Sequence, residues 1–304
     1  YQMSMIYNIQ DEVNSELAIL DKIITQYPQS RYADDAYYAK GNSLFNMNRN
    51  DLAVEAYEAV LQKYPNSEWT NNALQKLGLV AYSLGRNEEA LNYYKGVFRN
   101  DPQSDAARDA LGAIKEIYIQ QGNPDGYFNF LNTVQGYNVN QMERDSITYA
   151  AAQLQFDQAN WEEAVKAYTN YLNRFPNGMY ANQAQFNRAE SLFDLRRYPE
   201  ALQDYTAISD MGNSSYAATA NYRAANITYY ITQDFGQALK FYNRLEQTAN
   251  TDELIFESQQ LGMRSAFYAK DYDALLTTAQ RFQQNSRATT PDRAEAYYYM
   301  GKAH

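Results

Sequence analysis

General acid–base catalysis, nucleophilic attack and metal binding draw on histidine, cysteine and clustered carboxylates. This chain of 304 residues has one histidine, His304 at its end, and no cysteine. Ser-His-Asp catalysis and His/Cys zinc sites therefore lose their essential members, and disulfides are excluded. No G-x-x-x-x-G-K-[ST] loop or strand-linked G-x-G-x-x-G is present to cradle a phosphate. The stretch "DYDALL" (271–276) offers Asp271 and Asp273 as a carboxylate pair, but the central glycine and closing glutamate of a calcium loop are missing. It reads as the start of a helix. Carboxylates on neighbouring helices could serve glycoside hydrolysis only at a set separation, which sequence does not fix. The sequence predicts no catalytic residue, no metal, no cofactor and no enzymatic activity.

What remains is surface. Thirty tyrosines sit in a chain of formal charge −10 and pI near 4.7, without a Lys/Arg cluster. A nucleic-acid binder needs a basic footprint, so no nucleic-acid partner is expected. No apolar run approaches the roughly 20 residues of a spanning helix. So much amphipathic aromatic surface requires burial, a partner, or both.

The elements that position these rings recur. "AVEAYEAVLQKYPNS" (53–67) is echoed by "ALNYYKGVFRNDPQS" (90–104), 37 residues on. The same step joins Ala53, Ala90, Tyr127, Ala164, Ala201 and Ala238, and a step backward reaches Glu16. Four residues after the anchors stand Tyr57, Tyr94, Leu131, Tyr168, Tyr205 and Tyr242, and prolines follow at Pro28, Pro65, Pro102 and Pro176. Within a unit, apolar spacing of three and four predicts two helices, as in 34–47 and 51–64. Asp51 is placed to cap the second, and Pro65 to end it.

This pattern resembles the tetratricopeptide repeat, W-x2-L-G-x2-Y…A-x3-F…P. Residues 71–107 supply Leu74, Leu77, Gly78, Ala81, Ala90, Tyr94 and Pro102, and residues 34–70 supply Tyr37, Lys40, Gly41, Leu44, Ala53, Tyr57 and Pro65. "AEAYYYMGKA" (294–303) is close to the family's opening helix. The resemblance implies an all-α solenoid, a right-handed superhelix of about seven helix pairs plus a truncated helix. The expected organisation is one continuous array over 1–304: 1–33 (partial), 34–70, 71–107, 108–144 (divergent), 145–181, 182–218, 219–255, 256–293 and 294–304 (partial). Gly41 and Gly78 should let paired helices approach, with the buried alanines doing the same on second helices. The tyrosines should fill the gaps between units. Residues 108–144 lack this pattern and carry four glycines, which signals either drift or a bend. Because the chain starts and stops inside units, it is expected to be a fragment of a longer array.

The period exceeds the family's usual 34 by three residues, placed after the proline in a YP-x-S junction. Such junctions resemble those of bacterial cell-envelope members, among them the Tol–Pal-associated periplasmic protein and the TPR lipoprotein of β-barrel assembly. The Tyr-, Asn- and Gln-rich composition looks like a Bacteroidetes protein. A periplasmic or outer-membrane-associated location is therefore expected.

Family geometry also implies a concave groove lined by the first helices. Carried over, its binding positions are Tyr38, Asn42, Phe45, Tyr82, Tyr149, Gln153, Phe156, Phe186, Glu190, Phe193, Asp194 and Tyr230, with Arg223, Ile227 and Ile231 beside the last. Tyr38, Gln75, Tyr149 and Phe186 stand where a carboxylate clamp would need lysine, so a peptide C-terminus is a poor fit. Asp157, Glu190 and Asp194 favour a basic or polar segment. The sequence predicts a scaffold that binds a protein or peptide segment. The alternatives are glycan or peptidoglycan binding through exposed tyrosines, and a purely structural arm.

Overall fold

The computed structural model describes residues 1–9, 12–212 and 214–303; His304 lies outside the described residues. Among these residues there are seventeen α-helices, one π segment and no strand. The chain divides into two compact units, residues 1–139 and 140–304. The division falls within the divergent segment 108–144. No helix among the described residues is long and apolar enough to cross a membrane, and none of their Asp and Glu residues cluster as a metal site.

The first unit holds α1 (Gln2–Ile9), α2 (Val13–Gln26), α3 (Ala33–Asn46), α4 (Asn50–Lys63), α5 (Thr70–Ser83), α6 (Asn87–Asn100), α7 (Asp105–Gln120) and α8 (Pro124–Asn132). The second holds α9 (Gln141–Asp157), α10 (Trp161–Arg174), α11 (Ala181–Asp194), α12 (Tyr198–Asp210), α13 (Ala217–Asn226) continued by the π segment Ile227–Ile231, α14 (Phe235–Thr248), α15 (Asp252–Tyr268), α16 (Tyr272–Gln284) and α17 (Thr290–Ala303). Within each unit the helices pair in chain order, as the 37-residue period requires.

Close packing follows the expected residues. A Cβ on Gly41 would sit 2.4 Å from Tyr57 Cε1, and one on Gly78 would sit 2.7 Å from Tyr94 Cε1. The tyrosine ring therefore lies flat over the glycine. Ala53, Ala90, Ala164, Ala201 and Ala238 are fully buried, as are Tyr57, Tyr168, Tyr205 and Tyr242. Helices α4, α6 and α10 end one residue before Tyr64, Asp101 and Phe175, each followed by its proline, Pro65, Pro102 or Pro176. Helix α4 starts one residue earlier than expected, at Asn50. Arg49 then occupies the cap without a side-chain bond, and Asp51 sits in the first turn, facing the helix dipole.

In 108–144 the helix pair persists with its packing reversed. Here the glycine is on the second helix and the ring on the first: a Cβ on Gly126 would meet Tyr118 Cε1 at 2.5 Å. Tyr127, standing at the alanine position, is buried.

A second periodicity appears in the backbone. Residues Asn48, Gly85, Gly122, Ala159, Arg196, Gln233 and Lys270 all have φ between +54° and +73°, and each is 37 after the last. Each closes a first helix. In the 34–70 unit the next amide, Arg49 N–H, donates back to Leu44 O at 2.9 Å, and Arg86 and Asn160 repeat this toward Ala81 and Gln155. This is the Schellman closure, which calls for a left-handed residue. Only two of the seven are glycine.

The first-helix faces as a candidate binding surface

On the first helix of each pair, the position three before the glycine site was expected to offer free rings. It is instead a stacking position. Tyr38 stacks on Trp69 with centroids 4.5 Å apart, Tyr149 on Tyr180 at 4.4 Å, and Phe186 on Tyr216 at 4.6 Å. Tyr149 is only 8% exposed, so it is core and cannot serve as a groove ring. Each partner lies just before or at the start of the next unit's first helix, so the stack ties consecutive units together. Burial pushes the hydroxyls of Tyr38 and Tyr149 above the ordinary tyrosine range.

The position one after the glycine site, held by Asn42, Gln153 and Glu190, was among the expected binding positions. The structure uses it to satisfy the buried tyrosines. Tyr57 Oη donates to Asn42 Oδ1 at 2.8 Å, Tyr168 Oη to Gln153 Oε1 at 2.9 Å, and Tyr205 Oη to Glu190 Oε1 at 2.5 Å. Gln153 Oε1 also accepts from Tyr149 and Asn187, while its amide donates to Asp157. Asn42, Gln153 and Glu190 are thus acceptors for the core's own hydroxyls. Leu79 stands at this place opposite Tyr94 and offers no acceptor.

Glu190 is further occupied by Arg223, whose Nε and Nη2 reach its two carboxylate oxygens at 3.2 and 2.9 Å. The same guanidinium lies 4.4 Å from the centre of the Phe193 ring. Burial works against its charge, but the Glu190 contacts outweigh this and hold Arg223 above its ordinary value. The expectation that Glu190 attracts a basic segment is corrected: its charge is already matched within the fold. Asp194 remains exposed.

In the 219–255 unit the expected positions are displaced by one. Tyr242 Oη donates to Asn226 Oδ1 at 3.0 Å, across 16 residues, where Tyr57, Tyr168 and Tyr205 reach across 15. Stacked rings are 31 apart at 38/69 and 149/180, but 30 apart at 186/216. One residue is missing before α13. The π segment restores it: Phe156–Trp161 and Phe193–Tyr198 contacts span five residues, and Tyr229–Phe235 spans six. Tyr229 consequently takes the place of Phe156 and Phe193, and Ile227 is fully buried rather than groove-facing. Tyr230 is left 60% exposed, with Ile231 beside it also exposed.

Phe45, Tyr82, Phe156, Phe186 and Phe193 are half-buried on the first helices. Tyr82 Oη accepts from Gln120 Nε2 at 2.7 Å. An open aromatic surface lies further along the second unit, on Tyr230 and on residues that the family's groove positions did not select. Tyr230 contacts Tyr229 (4.7 Å), which contacts Phe235, which contacts Tyr268 (4.9 Å). Tyr268 contacts Phe267, which contacts Tyr299 (4.8 Å), which contacts Tyr298. Tyr268 is 49% exposed and Tyr298 59%. The signal was available in the sequence, because Phe267 and Tyr268 lie 37 residues after Tyr230 and Ile231. Beside the run, Arg264 pairs with Glu295 through Nε and Nη2 at 2.6 and 3.0 Å, so charge there is also internally matched.

Comparison with known proteins yields a consistent fold. The tetratricopeptide repeat family description matches residues 38–105 and 149–216. A solved tetratricopeptide repeat protein from Parabacteroides merdae is 18% identical, covering 86% of this chain and 96% of that one, at a TM-score of 0.40. A chain in the structure of Naa15/Naa10 bound to HypK-THB is 14% identical, covering 99% of this chain and 49% of that one, at a TM-score of 0.53. This chain thus spans about half the length of the latter. No curated protein matches it.

Proposed function

We propose that this chain, a tetratricopeptide repeat protein, is a non-enzymatic scaffold that holds an extended segment of a partner protein against the first-helix face of its second unit. The carrying observation is the run of touching rings from Tyr230 through Tyr268 to Tyr298, in which Tyr230, Tyr268 and Tyr298 are exposed and the partly buried Tyr229, Phe235, Phe267 and Tyr299 join them, while the neighbouring Arg264 and Glu295 are matched to each other. Large open aromatic surfaces mark interaction sites. Rigid rings lose little entropy on binding and dominate interface energetics. The stretch that suits these rings is polar overall, with aromatic or aliphatic anchors, and its contact with them does not depend on charge.

The reading extends to compartment: a scaffold of the bacterial envelope, periplasmic or outer-membrane-associated, in a Bacteroidetes cell. Its support is the YP-x-S junction and the Tyr-, Asn- and Gln-rich composition. Fractionating cells that express the full-length gene tests it, and a cytosolic product would refute it.

The binding test is selection of phage-displayed peptides on the whole chain, then titration of a selected peptide against Tyr230→Ala and Tyr268→Ala. Each ring should contribute about 2 kcal/mol, tenfold or more in affinity. Lys240→Ala, at an exposed site on second helix α14, should change nothing. Capture of peptidoglycan fragments but no peptide would move the function to glycan binding. Equal behaviour of all three variants would remove this face as the site.

A further inference from the structure

The alanine position of the second helices has one charged occupant. Where Ala53, Ala90, Ala164, Ala201 and Ala238 pack, the first pair carries Glu16, 3% exposed. Its carboxylate accepts from Asn8 Nδ2 at 3.1 Å on each oxygen and from Ser43 Oγ at 2.9 Å. Those are neutral donors, and among the described residues Glu16 forms no ion pair. A buried carboxylate met only by neutral groups is poorly compensated for lost water.

Glu16 also lines a cavity of about 450 Å³ between α1 and α3. Around it stand Met5 and Ile9 from α1, and Tyr38, Asn42 and Phe45 from α3. Asn42 Oδ1 already accepts from Tyr57 and has a second lone pair. Lys76, at the cavity edge, has its ammonium 5.9 Å from the Phe45 ring centre. Met5, Ile9, Tyr38 and Phe45 give the pocket apolar and aromatic surface, Asn8, Asn42 and Asn46 give it polar surface, and the Glu16 carboxylate lines it as its buried acid.

We infer that this cavity binds a primary alkylammonium group, supplied as a lysine side chain of the partner segment. The four-carbon stem lies along Met5, Ile9 and Phe45, the ammonium donates to Glu16 and Asn42, and the rings of Tyr38 and Phe45 add cation–π attraction. This rests on the scaffold reading but uses a different unit and different residues from the aromatic run. It restores a basic feature to the partner through Glu16, since Glu190 is neutralised by Arg223.

Trp69 reports on the site, because it stacks on Tyr38, and Trp161 is the chain's only other tryptophan. In the whole chain carrying Trp161→Phe, Trp69 emission is followed while Ac-Gly-Lys-Gly-NH2 is added. Peptides with norleucine, acetyl-lysine or arginine replacing the lysine run in parallel. The expected result is a saturable change with lysine and at least tenfold weaker binding of the other three. Glu16→Gln should weaken the lysine peptide at least tenfold. Glu16→Ala, which restores the residue of five other repeats, should melt no lower than the parent and fail to bind. No saturable lysine signal, or unchanged affinity in Glu16→Gln, would overturn the site and leave Glu16 as a brace between α1 and α3. An arginine peptide that binds as tightly would overturn the choice of lysine. If the lysine site fails while phage-selected peptides still depend on Tyr268, the scaffold reading stands and only this inference falls.

Discussion

Replacing Gly41 with alanine tests the packing directly. The new Cβ would sit 2.4, 2.6 and 2.9 Å from three carbons of the Tyr57 ring. Ordinary carbon contact begins near ~3.5 Å, so the ring must retreat by about 1 Å. It has nowhere to go, being fully buried and tied through its hydroxyl to Asn42. Overpacking of this kind costs about 1–3 kcal/mol, and losing the hydroxyl bond about 1 more. Against this stands the helix-propensity gain of alanine over glycine, about 1 kcal/mol. The balance is a loss of roughly 1–3 kcal/mol. Gly112 in α7 is the internal control, because a Cβ added there would meet nothing within 4 Å. There the propensity gain acts alone, so Gly112→Ala should stabilise by about 0.5–1 kcal/mol. Urea melts followed by far-ultraviolet circular dichroism compare the two. Hydrogen exchange in α3 and α4 guards against partial unfolding, to which repeat arrays are prone. If Gly41→Ala stabilised as much as Gly112→Ala, the ring-over-glycine packing would be refuted.

At the left-handed turns, Ala159→Gly should raise the melting temperature and Gly85→Ala lower it, each by about 1 kcal/mol of backbone strain relieved or imposed. Arg223→Met should destabilise the second unit, because it strands the half-buried Glu190 carboxylate; the paired Arg223→Met/Glu190→Gln variant should recover most of that loss in thermal melts. Burial pushes Tyr94 and Tyr299 up to about 12, and holds Tyr168, Tyr205 and Tyr242 higher still. The fold favours their neutral form, so that stability is whole below the unfolded value near ~10 and drains as pH rises through the folded values. Titration at 295 nm should therefore show a block of tyrosines ionising only as the helices melt; smooth ionisation of all thirty near pH 10 would contradict it.

The period, the glycine–tyrosine pairs and the terminating prolines were legible because each acts through one side chain at one place. The left-handed turns were not. Asn48, Ala159, Arg196, Gln233 and Lys270 share no chemistry, since the conformation is imposed by closure of the preceding helix and their side chains lead into solvent. The roles of Asn42, Gln153 and Glu190 were half legible. They stand on the first helices, as the repeat pattern places them, but a sequence does not show that a hydroxyl fifteen residues later will claim them. Arg223 could be assigned to Glu190 only once the missing residue before α13 was seen.

That missing residue explains why counting alone misplaced the open ring. The period of 37 survives through 219–255 because a loss before α13 is cancelled by the π segment after it. The anchors Ala201 and Ala238 therefore stay in step while every first-helix position between them slips by one. Tyr229 drops into the half-buried site, and the inserted residue pushes Tyr230 and Ile231 outward. Deleting Ile231 should turn the segment into plain α-helix. It leaves the αL turn seven residues from the small position Ala225, as Gly41 is from Asn48. Since Ile231 is already exposed, little burial is lost. The variant should melt within about 1 kcal/mol of the parent, because surface changes of this kind are small. Tyr230 would then sit where Asn46 and Asp157 sit, two residues before the left-handed residue, and its contact to the Phe235–Tyr268 rings through Tyr229 would be redrawn. A selected peptide that depends on Tyr230 should lose affinity in the deletion variant despite its intact fold. If the deletion unfolds the second unit, the π segment holds the helix pair together, and its account as a compensating insertion is wrong.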